Sequence, residues 1–150
     1  MKVMTKTSED CMLYFRVISK LIKENWKESG VPIEMNIDDT KKTYKALADA
    51  GVLFLVMIYD GDAPVGYCAV VTTPHMLNHS VSFVNASGLY VLPEYRKGRA
   101  AALIMREIRQ FAKHHGAHHI MWHAPAGSEF EKALGLRHRE TSSLFMEAIL

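Results

Sequence analysis

Leu89-Tyr90-Val91-Leu92-Pro93-Glu94-Tyr95-Arg96-Lys97-Gly98-Arg99-Ala100-Ala101-Ala102-Leu103 carries the decisive change of pattern in this chain. The apolar residues before Pro93 read as a strand, and the proline ends it. From Gly98 the period turns helical, with Ala101, Ile104, Ile108 and Phe111 on one side and Ala112 and His115 beside them. A strand therefore hands over to a helix through one short turn. The first turn of a helix has free backbone N–H groups and the positive end of the helix dipole. Such a terminus binds phosphate if nothing bulky blocks it. Here the blocking positions are small, at Gly98, Ala100 and Ala101, while Arg96, Lys97 and Arg99 add charge. Small residues for close approach plus cations are what a pyrophosphate requires. A basic turn with one glycine also occurs as a plain helix cap, so by itself the turn leaves both readings open.

Upstream, Val52-Leu53-Phe54-Leu55-Val56-Met57-Ile58-Tyr59 is a continuous apolar run ended by Asp60-Gly61-Asp62. The Asp-Gly pair predicts a hairpin, with Val65 to Thr73 as the returning strand. Pro74 to His79 reads as a loop and Ser82 to Leu92 as the third strand. Gly88 within it predicts a bulge or a close approach. Earlier still, Thr7 and Asp10 resemble a helix start, and Cys11, Phe15, Ile18 and Ile22 follow at helical spacing to about Lys27. A second helix fits Asp38 to Ala50, with Gly51 as its cap. Downstream, Gly116 closes the long helix and His119 to Trp122 reads as a strand. Ser128 to Leu134 reads as a short helix capped by Gly135, and Ser143 to Ile149 as a last strand. Strands running the same way on either side of a helix make a mixed sheet, and the fold class is α+β.

Composition bounds what the chain can be. Its 150 residues predict a single domain, 1–150, and with 49% hydrophobic residues it can bury a core without a disulfide or metal staple. No apolar run spans a bilayer, and Met1 to Thr5 lacks a signal-peptide pattern. The expectation is a cytoplasmic protein whose two cysteines, Cys11 and Cys68, are buried free thiols. A net charge of +2 argues for neither nucleic acid nor an anionic membrane as partner. His114, His115, His118 and His119 straddle a helix end, where cations complement the dipole, and no metal site is expected there.

Taken with its surroundings, the turn resembles that of the GNAT N-acetyltransferases. In that family a strand like Leu-Tyr-Val-x-Pro-x-Tyr-Arg leads into a small-residue turn and a long helix. Tyr59-Asp60-Gly61-Asp62-Ala63-Pro64-Val65-Gly66-Tyr67 is similar to the family's central hairpin, and Phe130-Glu131-Lys132-Ala133-Leu134-Gly135-Leu136 to its late helix. The resemblance covers about residues 52–150, and residues 7–51 by element order only. It implies a GNAT-like central sheet, mixed and mostly antiparallel, flanked by about four helices. It implies acetyl-CoA as cosubstrate, held by Leu89, Tyr90, Val91, Arg96, Lys97, Gly98, Arg99, Ala100 and Ala101, and an acetyl group passed to an amine by direct attack. The family turn is usually Arg/Gln-x-x-Gly-x-Gly/Ala, whereas Gly98 comes one residue early here.

The residues of the transfer step also depart from the family. Its late-helix tyrosine aligns with Glu131, and an asparagine seven residues earlier aligns with Ala124. The family's strand glutamate, which serves as base, has its counterparts in Asn85 and Ser87, which can hold a water but are not bases at neutral pH. The catalytic candidates are therefore Asn85, Ser87 and Glu131. His79 and His123 are further candidate bases, with solvated loop positions as the alternative. Tyr90 falls on the opposite strand face from Leu89, where plain packing is the alternative to a place in the site. The amine is expected against the first two helices and their connection, about residues 28–39, where Glu34, Asp38 and Asp39 supply charge. The resemblance suggests a dimer. Two other readings stay open: an acyl-CoA-binding or regulatory domain that has lost its acid and base, and an unrelated α+β interaction domain with a basic cap.

Overall fold

The structure is a computed structural model that describes residues 1–141 and 146–149. Among the described residues, five strands form one sheet in the order β1-β2-β3-β4-β5. They are β1 (Lys2–Lys6), β2 (Leu53–Asp60), β3 (Ala63–His75), β4 (Asn78–Val91) and β5 (His119–Trp122). The first three pairings are antiparallel, and β4 with β5 is parallel. The described residues also form four α-helices: α1 (Ser8–Ser29), α2 (Ile37–Asp49), α3 (Ala100–His114) and α4 (Glu129–Gly135).

The continuous apolar run becomes β2, and Leu53 through Ile58 are all buried. A strand buried on both faces needs apolar residues at every position, which is why no alternation shows there. Leu53, Leu55 and Met57 pack with Cys11, Phe15, Ile18, Leu21 and Ile22 of α1 and Ala48 of α2. Phe54, Val56 and Ile58 pack on the opposite face with Ala100, Ile104, Ile108, Phe111 and Ala112 of α3. Helices α1 and α2 therefore cover one face and α3 the other. Gly61 turns the β2–β3 hairpin at φ +59°, as the Asp-Gly pair predicts. Gly66 is required by contact: a Cβ there would lie 2.8 Å from Tyr90 O and 2.9 Å from Ile58 Cγ2.

Several boundaries differ from expectation. The supposed loop Pro74 to His79 is mostly strand: β3 runs to His75, β4 starts at Asn78, and only Met76 and Leu77 turn between them. Helix α3 begins at Ala100 rather than Gly98, because Pro93–Tyr95 forms a 3₁₀ turn and residues 96–99 continue it as turns. Thr7 precedes α1 as expected, but its side chain makes no capping bond. Gly135 is the last residue of α4 and does not adopt the left-handed conformation. Strand β1 is absent from the sequence reading, since its short Lys-flanked stretch has no clear period; pairing with the buried β2 creates it. Of the expected last strand Ser143 to Ile149, Ser143, Leu144 and Phe145 lie outside the described residues, and Met146 to Ile149 have no regular structure.

Candidate active site

Strands β4 and β5 run side by side from Phe83 and His119 to Ala86 and Trp122, where their pairing ends. β4 continues to Val91. Its edge from Ser87 to Val91 is therefore open on the β5 side among the described residues. On the other side, Tyr90 pairs with Tyr67 and Ser87 with Ala69. Three steps along β4 oppose two along β3, so β4 carries the extra residue of a bulge. Gly88 sits there at φ +71°, a conformation that residues with a Cβ rarely adopt. The bulge expected from the sequence is thus where the two strands part.

The open edge leads to the start of α3. Arg99 is the N-cap residue, and no side chain caps this helix. Gly98 N–H is spent on Tyr95 O at 3.3 Å, and Leu103 N–H reaches Arg99 O at 2.9 Å. Between them, the N–H groups of Arg99, Ala100, Ala101 and Ala102 have no acceptor among the described residues. Lys97, Gly98 and Arg99 are exposed, and Ala100 is buried against the core. The result is a row of donors uncapped among the described residues, with Lys97 and Arg99 beside it and small residues at Gly98, Ala100 and Ala101. This is an anion cradle of the kind a pyrophosphate fits.

Arg96 is used differently from its neighbours. Its Nε donates to Val91 O at 2.8 Å, and Nη1 and Nη2 donate to the two carboxylate oxygens of Glu28 at 2.6 Å each. Its guanidinium also lies 5.3 Å from the centre of the Tyr90 ring. Arg96 therefore braces the turn against α1. The same contact holds the Glu28 carboxyl below its ordinary value of 4.5. Tyr90 is buried, and burial, with the charges of Glu28 and Glu24, pushes its phenol up. Leu89 and Val91 belong to the α3-side core.

The catalytic candidates do not converge. Asn85 donates to Thr73 Oγ1 at 3.0 Å across the sheet. Ser87 is exposed beside Gly88 and makes no side-chain hydrogen bond among the described residues. Glu131 belongs to the cap of α4: Ser128 Oγ accepts from Glu131 N–H at 3.1 Å, and Glu131 Oε2 accepts from Gly127 N–H. His79 is exposed near the far end of β4 from the bulge, and His123 is exposed just beyond Trp122, at the mouth of the split. Among the expected acceptor residues, Glu34, Asp38 and Asp39 are exposed, and the Asp38 and Asp39 backbones are capped by Asn36.

Two residues that sequence reasoning passed over stand at the bulge. Asn25 Nδ2 donates to Tyr67 Oη at 3.1 Å. A Cβ on Gly88 would lie 3.5 Å from that amide and 3.8 Å from that hydroxyl. The available signal was Asn25 itself, a polar residue continuing the buried spacing of Ile18, Leu21 and Ile22 on α1. Among the described residues no three His, Cys, Asp or Glu side chains are grouped to hold a metal ion, and no helix is long and apolar enough to cross a membrane.

Known proteins share this architecture. An aminoglycoside acetyltransferase from an uncultured soil metagenomic sample, solved with sisomicin, superposes with a TM-score of 0.73 at 11% identity, covering 99% of this chain and 95% of that one. A predicted acetyltransferase from Clostridium acetobutylicum, solved with acetyl-CoA, gives 0.72 at 12% identity, covering 98% and 94%. The ribosomal-protein-alanine N-acetyltransferase from Brucella melitensis biovar Abortus 2308 gives 0.66 at 11% identity, covering 99% and 100%. At such identities the likeness is one of fold. No curated protein matches the chain by sequence. The sequence model described as Acetyltransferase (GNAT) family matches residues 16–136, which takes in α1 from Arg16 on, the bulged strand, the uncapped turn and α4. The chain belongs to the GNAT acetyltransferase family.

Proposed function

We propose that this protein transfers an acetyl group from acetyl-CoA to an amine, with the donor held at the start of α3. The observation that carries this reading is the uncapped N-terminus of α3 opening onto the split between β4 and β5. The N–H groups of Ala100 to Ala102 and the side chains of Lys97 and Arg99 would hold the pyrophosphate. Gly98 and the small Ala101 let it approach. Support also comes from the Clostridium acetobutylicum protein of this fold, which was solved with acetyl-CoA.

Bound there, acetyl-CoA would supply an activated acyl group. The open edge Leu89 to Val91 would lie along it, and a backbone N–H of that edge would polarise the carbonyl, as preorganised donors do in oxyanion holes. β5 ends at Trp122 opposite Ala86, so this edge is free of it, and Gly88 bulges β4 just beyond that point. An ammonium of ordinary pKa near ~10.4 is mostly protonated at neutral pH, so the amine must lose a proton before it attacks. Asn85 is tied to Thr73 and Glu131 to its helix cap. Ser87 and His123 remain as exposed groups beside the split that could order a water for this proton.

The test is release of free thiol from acetyl-CoA in the presence of three amines: spermidine, sisomicin and a short peptide with N-terminal alanine. The expected result is amine-dependent release with at least one of them. Tight acetyl-CoA binding without release on any amine would indicate an acyl-CoA-binding domain instead.

A further inference from the structure

We propose that Asn25 and Tyr67 form the polar contact that seats the acceptor amine, on the α1 side of the Gly88 bulge. This inference rests on the acetyl-transfer reading and adds the acceptor's docking point to it.

Hydrogen-bond capacity supplies the first part. A side-chain amide offers two donors and a carbonyl, and a phenol offers one donor and an acceptor oxygen. Only one bond joins the pair, Asn25 Nδ2 to Tyr67 Oη at 3.1 Å, and neither side chain makes another among the described residues. If the amide is turned over, Tyr67 donates to the carbonyl instead, and the count is unchanged. In either orientation at least one donor and one acceptor remain unspent. Tyr67 is only 3% exposed, and a buried polar group with spare capacity is where a ligand's polar atom gains most.

Position supplies the second part. Both groups lie within ordinary contact distance of where a Gly88 side chain would stand, at 3.5 and 3.8 Å. Gly88 has no such side chain, so nothing at that position separates the pair from the bulged backbone. On the same helix, Glu28 reaches the donor turn through Arg96. Residues three apart on α1 thus face the bulge and the phosphate turn respectively.

Charge supplies the third. Burial pushes the Tyr67 phenol up to about 12, and Asn25 does not titrate, so the pair is neutral across ordinary assay pH. The unspent acceptor of the pair can take an N–H of the free amine while the nitrogen lone pair stays available for attack. The free amine is the form that attacks the carbonyl: the C–N bond forms, the C–S bond breaks, and the departing proton and thiolate are left to solvent.

The experiment uses the whole chain with spermidine, sisomicin and the alanine peptide. Tyr67→Phe keeps the ring and should raise the amine KM roughly tenfold while leaving the acetyl-CoA Kd within about twofold, the signature of one lost ligand hydrogen bond. In wild type, the Asn25 side-chain amide signals should shift when that amine is titrated, a readout that needs no variant to fold. An unchanged amine KM in Tyr67→Phe, or unshifted Asn25 signals with all three amines, overturns the proposal. Absence of thiol release by wild type counts against the acetyl-transfer reading, and the amide titration then decides the docking point separately.

Discussion

The Arg96 guanidinium and the Glu28 carboxylate meet through two hydrogen bonds of 2.6 Å, joining the turn after β4 to α1 across 68 positions of sequence. The paired fork geometry fixes orientation as well as distance. Arg96 also ties down Val91 O, so one side chain holds the end of β4, the turn and α1 together. Around this clasp, the groups beside it are left free for ligands.

The clasp has a defined response to acid. Glu28 is held below its ordinary 4.5 by Arg96, so its contribution is present above that value and is lost as pH falls through the lower folded value. Both side chains are substantially exposed, 40% and 48%, so solvent screening keeps the contribution within about 0–1 kcal/mol. Glu28→Gln should therefore lower stability slightly at pH 7, with a smaller deficit relative to wild type at pH 3. Thermal melts at the two pH values check this; an equal deficit at both contradicts it.

Gly88 is held at φ +71°, where a Cβ is strained. Gly88→Ala should cost about 1–2 kcal/mol in stability, measured by urea unfolding. It should also lower kcat/KM by more than that loss explains at temperatures where the variant stays folded, because the edge from Leu89 to Val91 is displaced. Gly66→Ala is predicted to be worse for stability and for a different reason. Its new methyl would clash with Tyr90 O, and overpacking of this kind costs about 1–3 kcal/mol.

The two cysteines should be inert in the native state. Cys11 and Cys68 are both fully buried, and burial pushes both thiols up, Cys11 to about 11. Thiolates are the reactive form, so alkylation by iodoacetamide at pH 8 should be negligible until the protein is unfolded, and complete afterwards. Mass spectrometry before and after denaturant reads the result. Rapid native modification would show that one of the two is accessible.

Much of the fold was legible because its signals are local. The apolar run Leu53 to Ile58 stated its double burial, Asp60-Gly61 its hairpin, and Gly88 its bulge. The Arg96 to Ala101 turn was legible for the same reason, since a helix start, small residues and cations lie together in sequence. What was hidden depends on distant partners. β1 exists because β2 offers it an edge. Arg96 reads as a phosphate ligand until Glu28 is brought to it. The partners of Asn85 and Glu131, Thr73 and the Ser128 cap, likewise appear only in the folded chain. Asn25 and Tyr67 lie 42 positions apart and become a pair only when α1 packs on β3.

The central claim is that the uncapped start of α3 holds the acyl donor. Arg99→Asp separates it from any effect on folding, because an acidic residue at the helix N-cap favours the helix while it removes a cation and competes for the N–H groups. Calorimetric titration with acetyl-CoA is the measurement. The account predicts binding by wild type and at least about tenfold weaker binding by Arg99→Asp, with the variant's melting temperature equal or higher. Equal affinity in the two proteins, or no binding by wild type, would contradict it.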